Sequence, residues 1–282
     1  MKWLVRPLLA LVLTAAVATL AVSPASASPS DPPAGQEGGV YTVEVKPVPA
    51  NAAMGTSASA DITVMEYLAA PGTTSRQLHE YLKGKGTRGL IDPGVSLNQA
   101  IRSALAQSVP VGVPPEPRTG CTYGTSQTDE CPAPRWARNG FVNPRVYFYD
   151  QSSAAWPVGT VISRWNQSPK IAPRWAPGGC PAESGSHCVW VNSGGYGASG
   201  WLGRTMYSWN TSTLYFIDGS VGIQLNDYYV PASRTAVACH EVGHALGIGH
   251  STSSSSCMVS VDPTSTYPSS DDYWILANVL YY

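Results

Sequence analysis

A chain of 282 residues that is 43% hydrophobic holds enough apolar material for one large domain or two small ones. Only 12% of it is charged, about half the usual share, and the formal net charge is −1 with no run of lysine or arginine. That excludes an electrostatic grip on nucleic acid or on an anionic membrane surface.

Lys2 and Arg6 precede an apolar run from Leu8 to Val22, and Ala25-Ser26-Ala27 follows. A basic start, an apolar stretch and an A-x-A site predict a secretory signal peptide over residues 1–27, cut after Ala27. The competing reading is a retained membrane anchor. The run is short against the roughly 20 residues a span needs, and the A-x-A site opposes retention. The protein is expected to be secreted, extracellular and monomeric, with no stable membrane association.

Residues 28–117 form the next block. Ser28 to Gly39 reads as a linker rich in proline, glycine and serine. Tyr41, Val43 and Val45 alternate with polar residues and predict a short strand. Thr74 to Lys83 predicts a helix, with Leu78 and Leu82 one turn apart. A second helix runs from Ser96, its cap, to Ser108, with Leu97, Ala100, Ile101, Ala104 and Leu105 on one apolar face. The block contains no cysteine and closes on a proline-rich stretch, 109–117. Its place between an export signal and the chemistry suggests a pro-region that chaperones or inhibits, so that the enzyme would be a zymogen. The alternative is a spacer or accessory module.

All six cysteines lie beyond residue 120. An even number in an exported chain reads as a disulfide set. Proximity favours Cys121–Cys131, Cys180–Cys188 and Cys239–Cys257. Cys121 is also the one nearby thiol able to cap a metal as a thiolate, but Cys131 makes a structural bridge the better reading.

Residues 118–282 are expected to form the catalytic domain. Arg145 to Tyr149 is a strand by β-propensity. Trp156 to Asn166 carries Val158, Val161, Ile162 and Trp165 at helical spacing. Residues 173–200 are rich in glycine, proline and serine. Val189–Val191, Trp201–Met206, Leu214–Ile217 and Val221–Leu225 predict further strands. Ser233 caps a helix whose Ala238, Val242, Ala245 and Leu246 face the core. His240, His244 and, at the edge, Glu241 look the other way, toward a cleft. Trp274, Ile275, Val279 and Leu280 suit a final helix. His187 is expected in solvent and His79 on the surface.

The chemistry sits in His240 to His250, which reads H-E-x-x-H-x-x-G-x-x-H. His240 and His244 share a helix face one turn apart. Gly247 lets the helix end at a positive φ, so the chain can swing back and deliver His250. Three neutral imidazoles with one open position describe a catalytic Zn2+ site; structural zinc sites are closed, usually by cysteines. Zinc so held lowers the pKa of a bound water to about 7. Glu241 is placed to take that water's proton and pass it to a leaving amine. Cys239 projects about 100° around the helix from His240 and is a poor ligand. Calcium at Asp218 or Asp227 has no loop pattern behind it.

With Met258 eight residues past His250, the pattern resembles the metzincin superfamily of zinc endopeptidases. Gly200-Trp201-Leu202-Gly203-Arg204-Thr205 and His250-Ser251 look closest to secreted bacterial matrixin-like peptidases. The resemblance covers roughly residues 140–282. It implies an α+β zincin fold: a twisted mixed sheet with two helices above, α/β-like, and a small C-terminal subdomain after Gly247. It also implies that 201–206 is the antiparallel edge strand that pairs with protein or peptide substrates. Met258 would be the floor beneath the metal. Two departures stand out. Ser260 occupies the position where some relatives carry a tyrosine that touches zinc, with Tyr267 a weaker substitute, and the cysteine switch P-R-C-G is absent. The function implied is a secreted zinc endopeptidase. The rivals are a non-catalytic zinc-binding or adhesion module and a zinc amidase acting on non-protein amides.

Overall fold

The computed structural model describes residues 39–49, 59–108, 121–128 and 133–282. The signal peptide, the linker up to residue 38, the proline-rich 109–117 and Cys131 lie outside them. Strands β1 (Val40–Val48) and β2 (Ser59–Ala69) come first, then helices α1 (Ser75–Gly84) and α2 (Leu97–Ser108). A short pair, β3 (Thr122–Tyr123) and β4 (Ser126–Gln127), follows. The next elements are β5 (Arg145–Gln151), α3 (Val158–Trp165), β6 (Ala172–Ala176), β7 (His187–Gly194), β8 (Trp201–Asn210) and β9 (Gly222–Asn226). Helix α4 (Arg234–Ala245) carries the histidines, and α5 (Ser270–Ile275) runs into a π-helical turn, Leu276–Leu280.

Seven strands form one mixed sheet in the order β1-β2-β8-β9-β7-β5-β6, which makes the class α+β. β5 runs parallel to β6 and β7, and β7 parallel to β9. β8 turns antiparallel to β9. Val146, Phe148, Val189, Val191, Ile223 and Leu225 are buried in the core, joined by Val158, Val161, Ile162 and Trp165 of α3. Each such side chain contributes about 1.5–3 kcal/mol by leaving water. Helices α3 and α4 pack together, so the metal-motif helix is backed by the same core as the parallel strands.

The block before residue 118 does not stand apart from this sheet. β2 pairs antiparallel with β8 from Asp61↔Asn210 to Ala69↔Trp201, and β1 pairs antiparallel with β2 along its whole length. Alternation drives this: Ile62, Val64, Glu66 and Leu68 are buried on one face of β2. Helix α2 lies on β1 through Leu97, Ile101 and Leu105. The expected β1, α1 and α2 are all present, with Thr74 capping α1 and Ser96 accepting from Gln99 N at 3.2 Å.

Four expectations are corrected. Leu214–Ile217 is a turn, with Leu214 at φ 58° and only single bridges at Tyr215 and Phe216. Residues 172–176, read as part of a glycine- and proline-rich stretch, form β6; Pro173 is tolerated because β6 is an edge strand. His187 is buried, its Nδ1 2.6 Å from Asp218 and its Nε2 2.7 Å from the Ala137 carbonyl, against the Trp136 ring. His79 is also buried, with Glu80 and Asp92 beside its ring. In both cases nearby oxygens satisfy the imidazole, which sequence spacing does not reveal. Disulfides Cys180–Cys188 and Cys239–Cys257 are formed. Cys121 is disulfide-bonded too. No helix among the described residues is long and apolar enough to cross a membrane.

Candidate metal centre

Helix α4 begins where Ser233 accepts a hydrogen bond from Ala236 N at 3.1 Å, a cap that stabilises by about 1 kcal/mol. It ends at Gly247, whose φ is +94°. A Cβ there would stand 2.6 Å from the Pro134 carbonyl oxygen, so glycine is needed for space as well as for conformation. Gly243 leaves the gap into which Met258 and Trp165 pack. Met258 is fully buried beneath the helix.

The turn at Gly247 brings three rings together. One nitrogen from each of His240, His244 and His250 lies within 4.8 Å of the others. His240 Nδ1 donates to the Cys257 carbonyl at 3.0 Å, and His244 Nδ1 to the Ile248 carbonyl at 2.8 Å. Carbonyls only accept, so both protons are placed on Nδ1 and both Nε2 lone pairs face inward. Those two Nε2 atoms are 2.9 Å apart. Two lone pairs facing at that distance repel unless a cation lies between them, and neighbouring ligands of a tetrahedral zinc are spaced comparably. The donor set therefore fits zinc. Burial pushes the His240 imidazole down to about 4, with the bond to Cys257 pulling the other way. Burial and neighbouring rings hold His244 and His250 well below the ordinary histidine value. All three stay neutral, as metal ligands must.

Glu241 lies beside this cluster on α4. The Thr205 hydroxyl of β8 stands 2.6 Å from its Oε2 and 3.0 Å from its backbone carbonyl. Its Oε1 is buried without a hydrogen-bond partner, against Gly203, where any Cβ would collide with it. Burial raises the Glu241 carboxyl to about 8, against the opposing pull of Thr205. The bridge from Cys239 ties α4 to the segment that carries the Cys257 carbonyl and Met258. Trp165 Nε1 donates to the Cys239 carbonyl at 3.0 Å from the other side.

The expected open cleft is absent here. His240, Glu241, His244 and His250 are 1, 0, 2 and 6% exposed, because β1, β2 and α2 cover them. Leu97 and Ile101 of α2 line a small cavity with His244, Gly249, Tyr207 and Trp209. Two residues of the covering strands reach the histidines. The Tyr41 hydroxyl is 3.0 Å from His250 Nδ1. Glu66 places Oε1 3.1 Å from His250 Nε2 and Oε2 3.1 Å from His244 Nδ1. Sequence reasoning passed over both. The available signal was Glu66 itself, a charge at an inward position of an otherwise apolar alternating run.

The remaining candidates have other occupations. Tyr267 is half exposed, with the Arg164 guanidinium 4.0 Å over its ring. Asp218 holds His187, and Asp227 accepts from Trp156 at 2.7 Å and Ser193 at 3.0 Å. Neither aspartate belongs to a metal-binding cluster among the described residues.

Residues 206–275, which span β9, α4 and α5, match the matrixin family model of M10 peptidases. A comparison with curated proteins finds no match.

Proposed function

We propose that this chain, a metzincin-type zinc metalloprotease, is a secreted endopeptidase in which Glu241 carries the proton and His240, His244 and His250 hold the metal. The observation that carries the reading is the pair of inward-facing Nε2 atoms 2.9 Å apart, with a buried carboxyl next to them on the same helix. Zinc, when bound, polarises the scissile carbonyl and makes a water a competent nucleophile near neutral pH.

Glu241 accepts a proton from the attacking water and delivers it to the departing amine. A carboxyl that burial has raised to about 8 suits a group that must both take and return a proton near neutrality. Thr205 holds one carboxyl oxygen and leaves the other uncommitted. Gly247 sets the turn that presents His250, and Met258 supports the helix from below. Residues 201–206 supply the edge against which an extended peptide lies, since β8 already takes an added antiparallel strand. That edge favours peptides over small non-protein amides. Glu241 argues against a binding-only module, because a carboxyl buried with one orphan oxygen is costly and a metal site alone does not need it. Residues 1–27 act as the export signal, 28–117 as a pro-region and 118–282 as the catalytic domain.

Protein collected from the medium of producing cells tests this. It is expected to cleave a denatured protein substrate, to lose that activity to a zinc chelator, and to begin after residue 27 by N-terminal mass analysis. Glu241→Ala is expected to abolish turnover with zinc content unchanged. Cleavage that persists in chelator refutes the reading.

A further inference from the structure

Tyr41, Glu66 and Thr205 are direct cross-strand partners, Tyr41↔Glu66 on β1 and β2 and Glu66↔Thr205 on β2 and β8. Partners of this kind point to the same face of a sheet. All three point at the metal centre: Tyr41 to His250, Glu66 to His244 and His250, Thr205 to Glu241. Their neighbours on that face, Ile62, Val64 and Leu68, are apolar and buried in the core. An ionisable side chain in such a row is expensive to bury unless a charge partner meets it. Neutral imidazoles meet it poorly, and a divalent cation held by those imidazoles meets it well.

The backbone points the same way. β2 occupies nine consecutive registers of β8, from Asp61↔Asn210 to Ala69↔Trp201 with one shift at Leu68/Ala69, including the whole stretch proposed to bind substrate. Gly39, at the entry to β1, abuts the His250 ring. A peptide cannot add to β8 while β2 is there, nor reach histidines that are this deeply buried.

We propose that Glu66 is a latency ligand: in the intact chain β2 lies in the substrate groove and brings the Glu66 carboxylate to the zinc position that substrate and water must use. The enzyme acts only once the β1–β2 pair has left β8. This assigns an inhibitory task to the block before residue 118 and gives it a carboxylate in place of a cysteine. It rests on the endopeptidase reading of the catalytic domain.

The test uses the intact chain, cobalt(II)-substituted so that its visible absorption reports the ligand set. Wild type is compared with Glu66→Ala, with the isosteric Glu66→Gln and with Glu66→Asp, which keeps a carboxylate. The alanine and glutamine variants are expected to shift the cobalt band and to lose metal to EDTA at least ten-fold faster. Activity of the intact chain on a denatured protein substrate is expected to rise at least ten-fold. Glu66→Asp is expected to stay near wild type. The glutamine variant covers the case in which alanine prevents folding. A merely structural Glu66 would alter melting without moving the cobalt band, and an unmoved band in folded Glu66→Gln overturns the proposal. So does intact wild type as active as Glu66→Ala. If the chain binds cobalt but neither wild type nor any variant cleaves protein, the endopeptidase reading fails, and the cobalt band still judges Glu66 on its own.

Discussion

Removing the Cys239–Cys257 bridge perturbs the metal centre through one carbonyl. The two cysteines are 18 residues apart and both fully buried. Opening a loop of that length restores denatured-state freedom worth about 3 kcal/mol in the chain-entropy model. For a protein of this size that corresponds to a fall of roughly 6–12 °C in melting temperature. The same cut frees the segment whose Cys257 carbonyl accepts from His240 Nδ1 at 3.0 Å. Loss of such a ligand-orienting partner typically costs 10–100-fold in metal affinity. The double variant Cys239→Ala/Cys257→Ala avoids a stray thiol. Calorimetry reads its melting temperature, and competition with a chelator of known affinity reads its zinc binding. A melting temperature within 2 °C of wild type, together with unchanged zinc affinity, would refute the view that this bridge pins the helix to the turn beneath it.

Further outcomes follow from the same packing. Asp272 is fully buried and accepts from Ser126 and Ser256 hydroxyls and from Ser269 N, each at 2.6 Å. Asp272→Ala leaves three donors unmet and is expected to cost about 3 kcal/mol in urea unfolding. Gly247→Ala forces a side chain into φ +94° and against the Pro134 carbonyl. It is expected to destabilise by about 2 kcal/mol or more and to lower zinc affinity about ten-fold by displacing His250, both read by chelator titration and thermal melting. In the zinc-free chain, His240 titrates near 4 when folded and near 6.5 when unfolded. Between those values the unfolded chain binds a proton that the folded one refuses, so stability falls as pH falls. Urea melts at pH 7.5 and 4.5 should show wild type losing about 2.5 kcal/mol relative to His240→Gln; no narrowing of that difference would mean His240 is not desolvated.

Covering the centre also changes what its residues experience. The low dielectric that raises Glu241 and lowers the imidazoles comes partly from β1, β2 and α2. Departure of those elements would readmit water and bring these groups nearer their ordinary values. The covered state is therefore the worse environment for proton transfer at neutral pH as well as the one with no room for substrate.

The sequence by itself determined the metal centre and the elements whose signals are local. His240, His244, Gly247 and His250 follow from helix period and one positive φ, and Thr74, Ser96 and Ser233 marked helix starts because capping depends on a few neighbouring atoms. The two short disulfides were legible for a related reason, since eight and 18 residues of separation leave little choice of partner. Tertiary structure alone decided everything carried by non-local pairing. Leu214–Ile217 had strand composition but no partner along its length, whereas Ala172–Ala176 had loop composition and found one in β5. His187 and His79 looked exposed until distant oxygens closed on them. Above all, nothing within a few residues of Glu66 tells that Thr205 will lie beside it, 139 positions on. Strand register is a property of the assembled sheet, and it is register that turns an ordinary glutamate into a group facing the metal.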